Sequence, residues 1–158
     1  MDRDSLRHAR DRHHPRCVVC SSANLAGLRT EFVFQPDGSV TGEFPGGAGF
    51  EGYPGLLHGG ITAALLDGAM TNCLFAHGIA ALTAELTVRY RHPVEVRGRI
   101  AVRASLTESR GELHLLRAEL RQEGQVKAIA FGKFVKKNMS DKTIVTVLVE
   151  NTVHGGAP

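Results

Sequence analysis

The sequence predicts an α+β domain in which one antiparallel β-sheet of about six strands wraps round a single long central helix. Three observations predict it. The stretch Gly60–Ala76 is apolar but for Thr62, Asp67, Thr71 and Asn72, too long for a typical strand, and reads as a helix buried nearly all round. Two strand-like segments precede it and four follow. A helix that is apolar on every face must be covered over most of its circumference, so a single sheet beside it has to curl round it.

Taken in order, residues 1–26 are rich in Arg, His and Asp, contain Pro15, Cys17 and Cys20, and show no sustained periodicity, which predicts an irregular N-terminal arm. Leu28–Phe34 and Ser39–Phe44 are rich in β-formers and flank Gln35-Pro36-Asp37-Gly38, whose Pro, Asp and Gly suit a tight turn; this is a hairpin. Pro45 to Gly55 is dense in glycine and proline and reads as a loop delivering the chain to the helix. After the helix, Leu82, Ala84, Leu86, Val88 and Tyr90 alternate with Thr83, Glu85, Thr87 and Arg89, and Ile100, Val102, Ala104 and Leu106 alternate with Arg99, Arg103 and Ser105. Each is a half-buried strand. Glu112–Arg121 and Gln125–Val135 flank the two-residue turn Glu123-Gly124. The folded domain is expected over 27–137, leaving a tail, 138–158, whose run Ile144–Val149 is either an extra strand or disordered.

With 158 residues, the chain has room for one compact domain and a core that needs no disulfide or metal to hold it. Its three cysteines are an odd number, and Cys73 falls inside the apolar run, which argues against a secreted disulfide framework and for a cytoplasmic setting. The polar N-terminus lacks an export signal, and no stretch is long and apolar enough for a membrane span. A net charge of +3 without a basic block interleaved with aromatics gives no nucleic-acid footprint. Cys17-Val18-Val19-Cys20 with His8, His13 and His14 nearby offers the ligand types zinc takes, but no second pair follows, and the sequence alone assigns no metal site. Cys73 reads as a small core residue.

Asp67 is the one Asp, Glu, Lys, Arg or His between His58 and His77, and it lies midway along the most buried helix. Desolvation raises a carboxylate's pKa and strengthens it as a base toward water. The alternative is an aspartate tied to nearby backbone or to Thr71. His58-Gly59-Gly60 opens the same helix, where free N–H groups and the positive end of the dipole suit a carbonyl oxygen becoming negative in acyl transfer. Gly59 and Asp67 are eight residues apart, about 12 Å along a helix axis, whereas reacting groups must converge to roughly 3–3.5 Å. If both act on one substrate, two antiparallel copies of the helix must meet, and the site is shared across a two-fold dimer.

The stretch Gly52-Tyr53-Pro54-Gly55-Leu56-Leu57-His58-Gly59-Gly60-Ile61-Thr62-Ala63-Ala64-Leu65-Leu66-Asp67, followed by the strand Leu82–Tyr90 and Arg91-His92-Pro93-Val94, resembles the hotdog-fold thioesterase superfamily in its phenylacetic-acid-pathway (PaaI-like) branch, over about Cys17 to Lys136. The resemblance implies a sheet wrapped round a central helix, dimers that often pair into tetramers, and hydrolysis of acyl-CoA thioesters with no metal or cofactor. It implies that the Gly59 N–H polarises the thioester carbonyl, that His58 shapes that pocket, that Asp67 of the partner activates water, and that the Thr83 hydroxyl helps place the water. Gly60 and Tyr53 belong to the expected substrate surface, and one or two of Arg89, Arg91 and Arg103 are expected to meet coenzyme A phosphates, the other arginines forming a solvated sheet face. One departure stands out: relatives carry Asn or Gln in the loop before the glycine pair, and no amide side chain occurs from Glu51 to Leu57. That departure motivates a second reading, a non-catalytic acyl-CoA-binding or sensing protein. A hotdog hydratase ranks below both, since its His-containing motifs are missing from the sequence.

Overall fold

The structure, a computed structural model, describes residues 3–136, so the expectations for the tail from 138 onward lie outside the described residues. The elements run α1 (Arg3–His13), β1 (Glu31–Phe34), β2 (Val40–Gly46), α2 (Gly59–Ala76), β3 (Ala81–Tyr90), β4 (Arg97–Arg110), β5 (Leu113–Gln122) and β6 (Gln125–Lys136). The six strands form one antiparallel sheet in the order β1-β2-β4-β5-β6-β3, and α2 contacts every one of them. The expected α+β class, with about six antiparallel strands around one long helix, is what the chain adopts.

The β5–β6 turn forms as the sequence suggests. Glu123 and Gly124 both have positive φ, 51° and 75°, the backbone of a two-residue turn whose twist matches its flanking strands. The first hairpin is shorter than expected. Leu28 and Thr30 donate their N–H groups to the carbonyls of Val18 and Val19, so β1 begins only at Glu31.

The irregular arm expected over 1–26 requires correction, because Arg3–His13 is helical. Leu6 is buried and Ala9 packs on the core, giving α1 a narrow apolar stripe one turn apart in an otherwise polar segment. Beyond it, Val19 and Cys20 also join the core, so the arm is a packed strap over α2. Gly68 permits this: a Cβ there would come within 2.5 Å of the Val19 side chain.

The helix α2 is not buried nearly all round. From Gly68 to Ala76 every residue is buried, against the sheet on one side and α1 on the other. In its first half, Gly60, Ala63, Ala64 and Asp67, spaced so as to share one face, keep solvent exposure.

A second departure concerns β3. Its pairing with β6 steps from Thr83 opposite Phe134 to Glu85 opposite Lys133, leaving Ala84 as an extra residue, a β-bulge. Strict alternation places Thr83 on the same face as Glu85, Thr87 and Arg89. The bulge reverses that parity, so Thr83 and Ala84 are both half-buried while Leu82 is 42% exposed.

Candidate active site

The start of α2 is held by its own residues. His58 is the N-cap, and its Nδ1 accepts the Gly60 N–H at 2.9 Å. The Tyr90 hydroxyl donates to the Gly59 carbonyl at 2.9 Å. The peptide between Gly59 and Gly60 is therefore bonded at both its N–H and its C=O.

The preceding peptide is pinned at one end only. The His58 carbonyl accepts N–H groups from Ile61 and Thr62, at 2.9 and 3.1 Å. The N–H of that same peptide, on Gly59, meets no acceptor among the described residues. A free donor whose carbonyl is fixed cannot rotate away, which is the pre-organisation that stabilising a developing oxyanion requires. Of the expected donors, Gly59 is available and Gly60 is not. Gly60 contributes by lacking a side chain, since a Cβ there would press within 3.0 Å of the His58 ring nitrogen. With Nδ1 accepting, His58 presents Nε2 as its remaining donor.

Asp67 lies eight residues further along the same helix, half-buried, and its Oδ1 accepts the Thr83 hydroxyl at 2.8 Å. Burial pushes its pKa above the ordinary carboxylate value; the Thr83 hydrogen bond pulls it back, the Cys17 charge adds to the rise, and the His14 charge opposes it. The partner is thus Thr83, across on β3, and not Thr71. The bulge at Ala84 is what turns Thr83 inward to make this bond.

A cleft of about 320 Å³ opens at the helix start, lined by Leu57, Gly59, Thr62 and the run Tyr90–Val94. It brings Gly59 and Arg91 together. The other expected substrate contacts are elsewhere. Tyr53 is 79% exposed in its loop and does not line the cleft. Arg89 is exposed, and the strand's alternation turns it to the face away from the helix. Arg103 is ion-paired with Asp37 in the β1–β2 turn. The neighbouring Gly38 carbonyl meets His77 Nε2 at 3.0 Å, just past the far end of α2, and that end is about 27 Å along the axis from Gly59. Glu51 is occupied structurally, accepting the Gly55 N–H through Oε1 at 3.1 Å.

Sequence reasoning gave Tyr90 no role in the site, placing it on the apolar side of a strand and in the strand end that carries the family resemblance. The readable signal was a tyrosine ending a strand beside Arg91-His92-Pro93, where the chain must turn back toward the helix start. It also missed a second cleft, of about 390 Å³, between α1 and the far end of α2, lined by His8, Ala9, Arg12, His13, Phe75, Gly78, Ile79 and Ala80. That cleft contains neither Gly59 nor Asp67.

The strap places three further reactive groups near Asp67. His14, Cys17 and Cys20 converge, with their ligand-type atoms within 4.8 Å of one another. The Cys17 thiol is held below its usual range, first by a hydrogen bond with Cys20, and Cys20 is held above its own by the same bond and by burial. Burial pushes Cys73 up to about 11, in keeping with an inert core thiol. No helix among the described residues is long and apolar enough to cross a membrane.

Comparison with known proteins connects this geometry to a family. The family model of the thioesterase superfamily matches residues 54–129, which span the end of the loop before α2, all of α2, and the strands into the first part of β6. Acyl-coenzyme A thioesterase THEM4 from Bos taurus is 33% identical over 95 residues, 59% of this chain and 39% of that protein. The match therefore spans well under half the length of that relative. A crystallised thioesterase superfamily protein superposes with a TM-score of 0.69 at 29% identity, covering 72% of this chain and 56% of that one. A point mutant of phenylacetic acid degradation protein PaaI from Thermus thermophilus superposes with a TM-score of 0.64 at 22% identity, covering 70% and 95%. The last likeness is one of fold.

Proposed function

We propose that this chain, which carries a thioesterase-superfamily domain with the hotdog fold, hydrolyses acyl-CoA thioesters at a site shared by two copies of itself. The observation that carries the proposal is the pairing of one free, fixed N–H at Gly59 with a desolvated carboxylate at Asp67 that a single helix holds two turns apart.

In the proposed reaction the thioester carbonyl oxygen accepts the Gly59 N–H in the cleft at the helix start, with His58 Nε2 as a neighbouring donor. Asp67 of the second copy takes a proton from a water whose oxygen attacks the carbonyl carbon. The tetrahedral intermediate then collapses, the C–S bond breaks, and the departing thiolate recovers the proton from Asp67, giving free acid and CoA. Thr83 orients the carboxylate and opposes the rise in its pKa that burial causes. Arg91 is the cleft residue suited to a CoA phosphate.

The two-copy arrangement draws support from three features. The two groups lie about 12 Å apart on one helix. The face of α2 that bears Asp67 is lined by Gly60, Ala63 and Ala64 and is covered only in part by its own chain. β3 is an edge strand with Leu82 and Tyr90 exposed, a surface that a second sheet edge can complete.

The test is thiol release from acyl-CoAs running from acetyl through medium-chain to phenylacetyl and benzoyl, comparing the parent with Asp67→Asn. Release that collapses in the variant supports the proposal and names the acyl class. Full activity in the variant overturns it. One observation favours a second reading: the loop from Glu51 to Leu57 has no amide to hold a water, and Glu51 is bonded to Gly55. A binding or sensing protein built on this cleft retains acyl-CoA without releasing thiol from either form.

A further inference from the structure

We propose that His14, Cys17 and Cys20 form a zinc site that fastens the N-terminal strap to α2. The sequence alone argued against a metal because no second cysteine pair follows; folding supplies the third ligand from upstream. All three ligand atoms lie within 4.8 Å of one another, and His14 Nδ1 is 3.9 Å from Cys20 Sγ. Zinc–sulfur bonds of about 2.3 Å and zinc–nitrogen bonds of about 2.0–2.1 Å at tetrahedral angles require ligand separations of roughly 3.5–3.8 Å. The His14–Cys20 edge is already within a few tenths of an ångström of that value.

The supporting groups around the ligands fit the same purpose. The Val19 N–H points to Cys17 Sγ at 3.4 Å, a backbone donor aimed at one of the two sulfurs. Such outer hydrogen bonds orient and tune metal ligands. The segment is also held by its own hydrogen bonds. Cys17 N–H bonds to the His14 carbonyl at 3.2 Å, Ser21 N–H to the Cys17 carbonyl at 3.2 Å, and Ser21 Oγ to the Pro15 carbonyl at 2.7 Å. The His14 ring sits edge-on to Phe75 of α2, and Cys20 is 2% exposed. Three protein ligands would leave one position of a tetrahedral site for a further ligand. Asp67 is the carboxylate whose charge is felt at Cys17 and His14, so a bound cation changes the field at that residue.

The test uses the full chain, stripped with chelator under reducing conditions and titrated first with Co²⁺ and then with Zn²⁺. One equivalent of cobalt per chain, with the ligand-field and thiolate charge-transfer bands of a tetrahedral site that zinc then bleaches, supports the proposal. Cys17→Ser and His14→Gln are each expected to lose the bands, whereas Cys73→Ser keeps them. Because Cys20 is a core residue, its variant is read only beside a melting curve. Failure of the parent chain to bind cobalt overturns the proposal. So do bands that survive in the Cys17→Ser, Cys20→Ser double variant, or a Cys17–Cys20 disulfide whose reduction yields no metal uptake. None of these readouts depends on thioester hydrolysis, so the proposal stands or falls independently of the reading of Asp67.

Discussion

The two halves of α2 share one hydrogen-bonded cylinder and have different surroundings. From Gly68 to Ala76 every residue is buried, and the side chains there, Met70, Cys73, Leu74 and Phe75 among them, are covered by the sheet and the strap. From Gly59 to Asp67 the helix keeps one face of small residues partly exposed, its first peptides are held by His58 and Tyr90, and a carboxylate ends the face. The far half supplies the burial that holds the helix in place. The near half can then carry an unsatisfied N–H and a poorly solvated acid, features that cost stability and would not persist on a helix lacking such an anchor.

The largest expected effect is at the junction. Asp67→Asn is expected to lower thiol release by about 10²–10⁴-fold, the usual range for loss of a general base, without weakening the fold. The sign follows from the raised pKa. Between the ordinary carboxylate pKa and the higher folded value, the native chain binds more protons than the unfolded chain, so stability falls as pH rises through that window and the penalty remains above it. Asn removes the penalty. Melting temperatures across pH should therefore show the variant level with the parent or above it at neutral pH, with any advantage fading in acid. A variant much less stable than the parent at neutral pH would mean that Asp67 belongs to the anchoring half.

Next in size is Leu74→Ala in the far half, where truncation of a fully buried leucine should cost about 2–5 kcal/mol in urea unfolding. A loss near zero would break the contrast from the other side. Thr83→Val removes the hydrogen bond to Asp67, for about 1 kcal/mol. Since that bond lowers the carboxylate's pKa, the acid limb of the kcat/KM profile should move to higher pH, and an unmoved limb would detach Asp67 from the rate. Smallest is Tyr90→Phe, which frees the Gly59 carbonyl. At so exposed a bond the cost in stability should be about 0.5 kcal/mol, seen mainly as a modest fall in kcat.

The elements legible in the sequence were those whose periodicity burial enforces. Gly60–Ala76 announced a helix by its apolar length, and Glu123-Gly124 announced a hairpin between two alternating runs. α1 was not legible, because only Leu6 and Ala9 mark its buried side among charged neighbours. Within the site, the acid and the glycine pair could be picked out by composition, since a lone carboxylate in an apolar helix stands out. The surroundings of Arg103 were not legible, because arginine content along a strand says nothing about which end of the helix the strand passes, and its partner Asp37 is 66 residues away in the chain. Thr83 was picked out by resemblance, yet its alternation pointed it the wrong way. A bulge is one residue gained against a partner strand, and partner strands are not visible in a single row of letters.

That bulge makes β3 sensitive to length more than to identity. The extra residue at Ala84 acts as a phase slip: upstream of it the odd-numbered side chains Ala81 and Thr83 face the helix, and downstream the even-numbered Leu86 and Val88 do. Deleting one residue there restores a single rhythm, and both halves cannot then keep their orientation. Either Thr83 swings out of reach of Asp67, or Leu86 and Val88 turn toward water. Point substitutions along the strand leave the phase intact, so a tolerance map of this protein should show a one-residue window, open to exchange and closed to deletion, set directly opposite the carboxylate.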